Sequence, residues 1–86
     1  MLKNKKEEPN APKGFYLSCE RVRGGVALLV GGIMSITDFS DSEVMLAGHT
    51  GRIGVSGSSL SITVFENKSV EIVGRVEEIK FIYGKT

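Results

Sequence analysis

Between residues 58 and 66, Leu60, Ile62 and Val64 occupy one set of alternate positions and Ser59, Ser61 and Thr63 the other. That two-residue period belongs to a strand with one buried face. Val70 and Ile72 repeat it around Glu71. Near the C-terminus, Ile79, Phe81 and Tyr83 share a face opposite Glu78, Lys80 and Ile82. From Gly24 onward the chain divides into short β-branched runs, VALLV, IMSIT, EVMLA, RIGV, LSITVF, SVEIV and RVEEIKFIY, separated by Gly, Ser, Asp and Asn. These separators form turns for distinct steric and hydrogen-bonding reasons. Upstream, FYLSCERVR fits either a first strand or a short helix with Phe15, Leu17, Cys19 and Val22 turned inward. The pattern predicts an all-β fold, a small antiparallel β-sandwich or barrel-like meander of about seven short strands.

Turn chemistry suggests where strands reverse. Asn67, in Phe65-Glu66-Asn67-Lys68-Ser69, tolerates left-handed backbone geometry and suits a hairpin between two directly paired strands. Ser56-Gly57-Ser58-Ser59 predicts a second hairpin, between RIGV and LSITVF, and Asp38-Phe39-Ser40-Asp41-Ser42 predicts closure of IMSIT on EVMLA.

Residues 1–14 break the pattern. They carry Lys3, Lys5, Lys6 and Lys13, Glu7 and Glu8, and both prolines, with almost no apolar side chains. Such a segment cannot bury enough surface to offset the entropy of ordering, so it reads as a mobile charged tail on a single domain spanning 15–86. The four lysines could hold the chain near an anionic surface, but the glutamates offset part of that attraction and a solubilising tail is the favoured reading. At 86 residues, 41% hydrophobic and 24% charged, the composition is that of a globular chain and not of a disordered one. A net charge of +1 gives no overall field to attract nucleic acid. The first residues are not followed by the apolar stretch of a signal peptide, and GGVALLVGGIMSIT, interrupted by glycines, falls short of the ~20 residues a spanning helix needs. A single cysteine, Cys19, precludes an intramolecular disulfide. The expected location is the cytoplasm.

Candidate chemistry is sparse. A nucleophile and base pair would have to be Cys19 with His49, the one histidine, without an evident orienting third group. One His and one Cys do not make a zinc site. Asp38, Asp41 and Glu43 lack the spacing of a calcium loop and read as a solvated turn. Glu77 and Glu78 are adjacent, so a strand points them to opposite faces. Gly51-x-x-Gly54-x-x-Gly57 matches no phosphate-binding fingerprint and fits bulges and tight bends better. Arg21, Arg23, Arg52 and Arg75 are scattered, which disfavours nucleic acid as a partner. The stretch SVEIVGRVEEI resembles the second motif of Sm-like RNA-binding barrels, but Asp38 lacks the nearby asparagine of the first motif. An Sm-like or OB-like RNA binder is therefore the alternative reading. The residues nominate no catalytic group, cofactor, metal or small-molecule substrate, and the chain is not expected to be an enzyme.

The ordered succession of elements resembles the YabP/YqfC family of sporulation proteins. An apolar strand ends at Gly32, an acidic-aromatic turn follows at Asp38-Phe39, and a strand runs from Val44 to Leu46. A glycine-bounded core then extends from Gly51 to Leu60, before the ending Ile72-x-Gly74-x-Val76 through Ile79. The resemblance covers residues 27 to 83 and, through the ending EIVGRVEEIKF, is closer to the YqfC branch. Gly54, where a larger residue is common, and the polar turn Gly48-His49-Thr50 depart from the pattern. The resemblance implies a non-catalytic β domain acting in the mother cell of an endospore-forming bacterium, peripheral at the forespore membrane, with a membrane-embedded sporulation partner. It carries no functional residues by position.

Any mechanism must then lie in surfaces. A domain this small buries only about 60% of its unfolded surface and gains from association. The candidate interaction surface is Ile79, Phe81 and Tyr83 on the C-terminal strand from Val76 to Tyr83, pairing either with a partner or as a homodimer; the segment Ala27 to Met34 is a second candidate. The competing reading, favoured by the shortage of bulky residues, has the same three side chains filling the core.

Overall fold

The computed structural model describes residues 14–83, the last by its backbone alone. The lysines of the expected tail lie outside the described residues. The chain forms β1 (Tyr16–Val22), β2 (Gly25–Gly31), β3 (Ile33–Phe39), β4 (Glu43–Gly48), β5 (Gly51–Glu66) and β6 (Ser69–Tyr83). All six join one antiparallel sheet in the order β1-β2-β6-β5-β4-β3. The all-β antiparallel expectation agrees with this, and FYLSCERVR, left open between strand and helix, supplies strand β1.

The strand count differs from about seven because two breaks in the sequence are not turns. RIGV and LSITVF belong to one strand of 16 residues, β5, and SVEIV and RVEEIKFIY to one strand of 15 residues, β6. The hairpin expected at Ser56–Ser59 is therefore a bend within a continuous strand. The meander is also only partial. β3 to β6 follow in order, whereas the β1–β2 hairpin attaches to β6, and the chain crosses at Gly32 to begin β3.

A straight strand of 16 residues would run about 50 Å, yet the longest dimension of the described chain is 36 Å. The β5–β6 hairpin must bend, and its register shows where. Glu77 is an extra residue opposite the Ser56–Gly57 step, Ser59 and Leu60 together oppose Gly74, and Thr63 is extra between Ile62 and Val64. Bulges of this kind bend a strand and increase its twist. Ser59 has φ 55° and Gly74 φ 152°. A Cβ at Gly74 would stand 2.6 Å from the Ser59 carbonyl oxygen and 2.9 Å from Leu60 Cα, and one at Gly57 would collide with the Arg75 carbonyl. Only glycine lets the two backbones approach this closely at the bend.

The bend divides the sheet into two wings. One wing contains β1, β2, the first half of β6 and the second half of β5; the other contains the second half of β6, the first half of β5, β4 and β3. Leu17, Leu28, Val30, Leu60, Val70 and Ile72 of the first wing join Ile33, Val44, Leu46, Ile53 and Val55 of the second, with Phe15, in a single buried cluster. Register explains the selection. Leu28 opposes Ile72, Val30 opposes Val70, Leu46 opposes Ile53 and Val44 opposes Val55, so each pair shares the inner face. Among the described residues no polar or charged side chain is buried.

Backbone hydrogen bonds tie the folded hairpin at both ends. At its tip, Asn67 and Lys68 have φ 53° and 63°, the two left-handed residues of a type I′ turn. The Lys68 carbonyl there accepts from Gly32 N and Ile33 N, each at 2.9 Å. At the bend, Gly57 N donates to the Ser42 carbonyl at 3.0 Å and Leu60 N to the Asp41 carbonyl at 2.9 Å. Replacing Gly74 with alanine adds both the close contacts and an unfavourable backbone conformation. The expected loss is about 1–3 kcal/mol, read as a lowered urea midpoint; an unchanged midpoint would show that the bend does not depend on this glycine.

Candidate functional site

The residues considered for chemistry do not assemble. Cys19 lies in β1 and His49 in the turn after β4, both exposed. No group of three His, Cys, Asp or Glu side chains able to hold a metal occurs among the described residues. The Asp38–Glu43 segment is instead a structural latch. Asp38 Oδ1 accepts from Phe39 N at 2.9 Å, Ser40 Oγ accepts from Glu43 N at 3.1 Å, and Ser40 N donates to the Glu43 carbonyl at 2.8 Å. These bonds shape the loop whose carbonyls at 41 and 42 grip the β5 bend. Gly51, Gly54 and Gly57 all belong to β5, with no helix beside them. Gly54 is buried beneath Met45, whose Cε would lie 3.3 Å from an added Cβ, which accounts for the small residue in mid-strand.

The candidate surface on β6 divides by face. Ile79 opposes Val55 and Phe81 opposes Ile53, both partners fully buried, and Ile79 and Phe81 pack half-buried against the core. Tyr83 pairs by its backbone with Gly51; its side chain lies outside the described residues. Glu78, Lys80 and Ile82 point to the opposite face, opposing Ser56, Gly54 and Arg52, with Glu78 and Lys80 exposed. The second candidate segment, Ala27 to Met34, is mostly interior: Leu28, Val30 and Ile33 are core residues, and only Met34 at its end is exposed.

More informative than the side chains are the edges. β2 pairs with β6 only through residues 69–74, and β4 pairs with β5 only through residues 52–56. Among the described residues, the second half of β6, from Val76, and the second half of β5 therefore each have one neighbouring strand. β1 and β3 are the outer strands of the sheet. An edge of this kind presents backbone donors and acceptors that an added strand can satisfy.

Two of these edges are linked at their ends. β3 and the second half of β5 are held near one another only there, where the Lys68 carbonyl of the hairpin turn accepts from Gly32 N and Ile33 N and the Asp41 carbonyl of the latch loop accepts from Leu60 N. Between the ties no ladder forms. β3 is bulged twice, at Met34 and Thr37, and Thr37 Oγ1 turns back to donate to the Met45 carbonyl at 3.3 Å. An open groove of about 280 Å³ lies at the tip end of this seam, lined by Ile33, Met34, Phe65, Glu66, Asn67 and Lys68. Met34 and Phe65 are each 47% exposed, while Ile33 is 1% exposed at its floor. Sequence periodicity assigned these residues to strands and did not show the groove, because it arises from two segments distant in the chain.

No helix among the described residues is long and apolar enough to cross a membrane. Compared with known protein families, residues 21–86 match the model of the YabP family. The chain belongs to the YabP family. The match spans every strand after β1 and the end of β1 itself, so it includes the bent hairpin, the latch loop and both long edges. YabP is a sporulation-associated family, in agreement with the resemblance carried by Gly32, Asp38-Phe39 and the Ile72–Ile79 ending. No curated protein and no solved structure matches the chain.

The groove wall and floor should respond differently to substitution. Met34→Ser should change stability by no more than about 0.5 kcal/mol, whereas Ile33→Ala should lose about 2–5 kcal/mol. Urea denaturation checks both, and equal losses would contradict the assignment of Ile33 to the core and Met34 to the surface.

Proposed function

We propose that this YabP-family chain is a non-catalytic sporulation protein of the YqfC branch, acting in the mother cell as a β-pairing domain beside a membrane-embedded partner at the forespore. The observation that carries this reading is the family match over residues 21–86, which takes in the whole bent hairpin and its unpaired β6 edge. The branch rests on the ending EIVGRVEEIKF, which supplies that edge. A small sheet with an open strand can bind by adding a strand, a mode in which main-chain hydrogen bonds provide affinity and flanking side chains provide selectivity. Ile79 and Phe81 support the edge from the core side, with Tyr83 continuing the strand, and Ile82 flanks it on the outer face. No reacting group is needed.

A tagged chain used as bait in sporulating cells tests the proposal. Ile79 and Phe81 also support the core, so the informative substitution is Ile82→Asp, on the outer face. The expected result is recovery of an integral membrane sporulation protein with the native chain and its loss with Ile82→Asp, circular dichroism showing that the variant is folded. Recovery of RNA that nuclease removes, in place of a membrane protein, would favour the Sm-like reading. Undiminished recovery by folded Ile82→Asp would move the surface away from β6.

A further inference from the structure

The geometry points to a second copy of this chain as the strand that occupies the β6 edge, in one register centred on Ile79. This inference rests on the proposal that the β6 edge is an interaction surface, and it makes self-pairing and strand addition by the membrane partner alternating occupants of that one edge.

A two-fold axis normal to the sheet would join two β6 edges antiparallel, as in an isologous dimer. Residues directly opposite one another then share a face, so a residue can meet only itself or one an even number of positions away. Centred on Ile79, Glu78 of each copy stands opposite Lys80 of the other. The two-fold axis makes two such pairs, both on the exposed outer face. Ile79 meets its own copy on the inner face, where it already packs half-buried against the core. Centring on Glu78 or on Lys80 sets like charges against each other, which is unfavourable. Centring on Phe81 puts Lys80 opposite Ile82, with no charge pairing. Centring on Val76 would set Arg75 against Glu77, but that register runs into residues 69–74, whose edge β2 already occupies, so the Ile79 register is the one that remains.

The other edges lack this property. In β1 the charged residues Glu20 and Arg21 are adjacent and point to opposite faces, so no two-fold register opposes them. Centring on either residue opposes like charges. β3 carries Asp38 as its one charged residue and is interrupted by two bulges, which discourage pairing. The second half of β5 carries only Glu66, and its Gly57 and Leu60 N–H groups are already taken by the latch loop.

Sedimentation velocity of the full chain over a concentration series in low-salt buffer tests the inference. The native chain should dimerise reversibly. Glu78→Lys and Lys80→Glu should each weaken the dimer about tenfold or more, since both two-fold pairs change from attractive to repulsive. The double variant Glu78→Lys/Lys80→Glu, with its charges exchanged, should recover most of the native affinity. That recovery separates charge pairing from loss of fold. A native chain that stays monomeric at the highest concentration, single variants that dimerise like the native chain, or a double variant no better than the singles would each overturn the inference. Partner capture lost in Ile82→Asp together with a strictly monomeric native chain would leave the proposed function standing and remove self-pairing alone.

Discussion

The close approach of the β5 and β6 backbones around Gly57 and Gly74 is the contact on which the remaining structure depends. Two strands of 16 and 15 residues cannot bury both of their ends in one flat sheet of this size. Bulges at Ser59–Leu60 and Glu77 fold the hairpin over, and the absence of side chains at 57 and 74 permits the contact. Once folded, the same hairpin supplies inner-face residues to both wings. Val70 and Ile72 serve one wing and Ile53 and Val55 the other, and among the described residues the core closes without any polar side chain inside.

The bend also determines what the molecule offers to others. Because β2 follows only the first half of β6 and β4 only the first half of β5, the bend leaves each long strand with an unpaired half. One of these, on β5, ends at the Met34–Phe65 groove. The other, on β6, carries alternating charge on its outer face and core contacts on its inner face. A sheet that closed fully would have neither feature. The surface available for association is therefore a consequence of how the core is built, and needs no separate site.

The latch loop shows how a family signature can be structural. Asp38 and Phe39 stand out in sequence as an acidic-aromatic pair in a segment that reads as a solvated turn. In the fold, Asp38 accepts from the adjacent backbone N–H while the neighbouring carbonyls of Asp41 and Ser42 hold the β5 bend. The work of these residues is to hold backbone in place.

Alternation of apolar and polar residues by itself determined that the chain is all-β, that Leu60, Val70 and Ile72 face inward, and that Asn67 sits in a hairpin turn; Cys19 and Val64, which it also turned inward, are exposed, Val64 lying beyond the bulge at Thr63. These are local properties, set by the two-residue period and by the φ preferences of single residues. It also gave the inward face of Ile79 and Phe81. What periodicity did not distinguish was a turn from a bend: Ser56-Gly57-Ser58-Ser59 has the composition of both, and the difference depends on whether the chain continues along the same partner strand. Only the tertiary structure decided that β5 and β6 are continuous, that β1–β2 attaches to β6, and which strand halves remain unpaired. Those outcomes depend on contacts between segments far apart in sequence, where one strand's pairing is fixed by what its neighbours already bury.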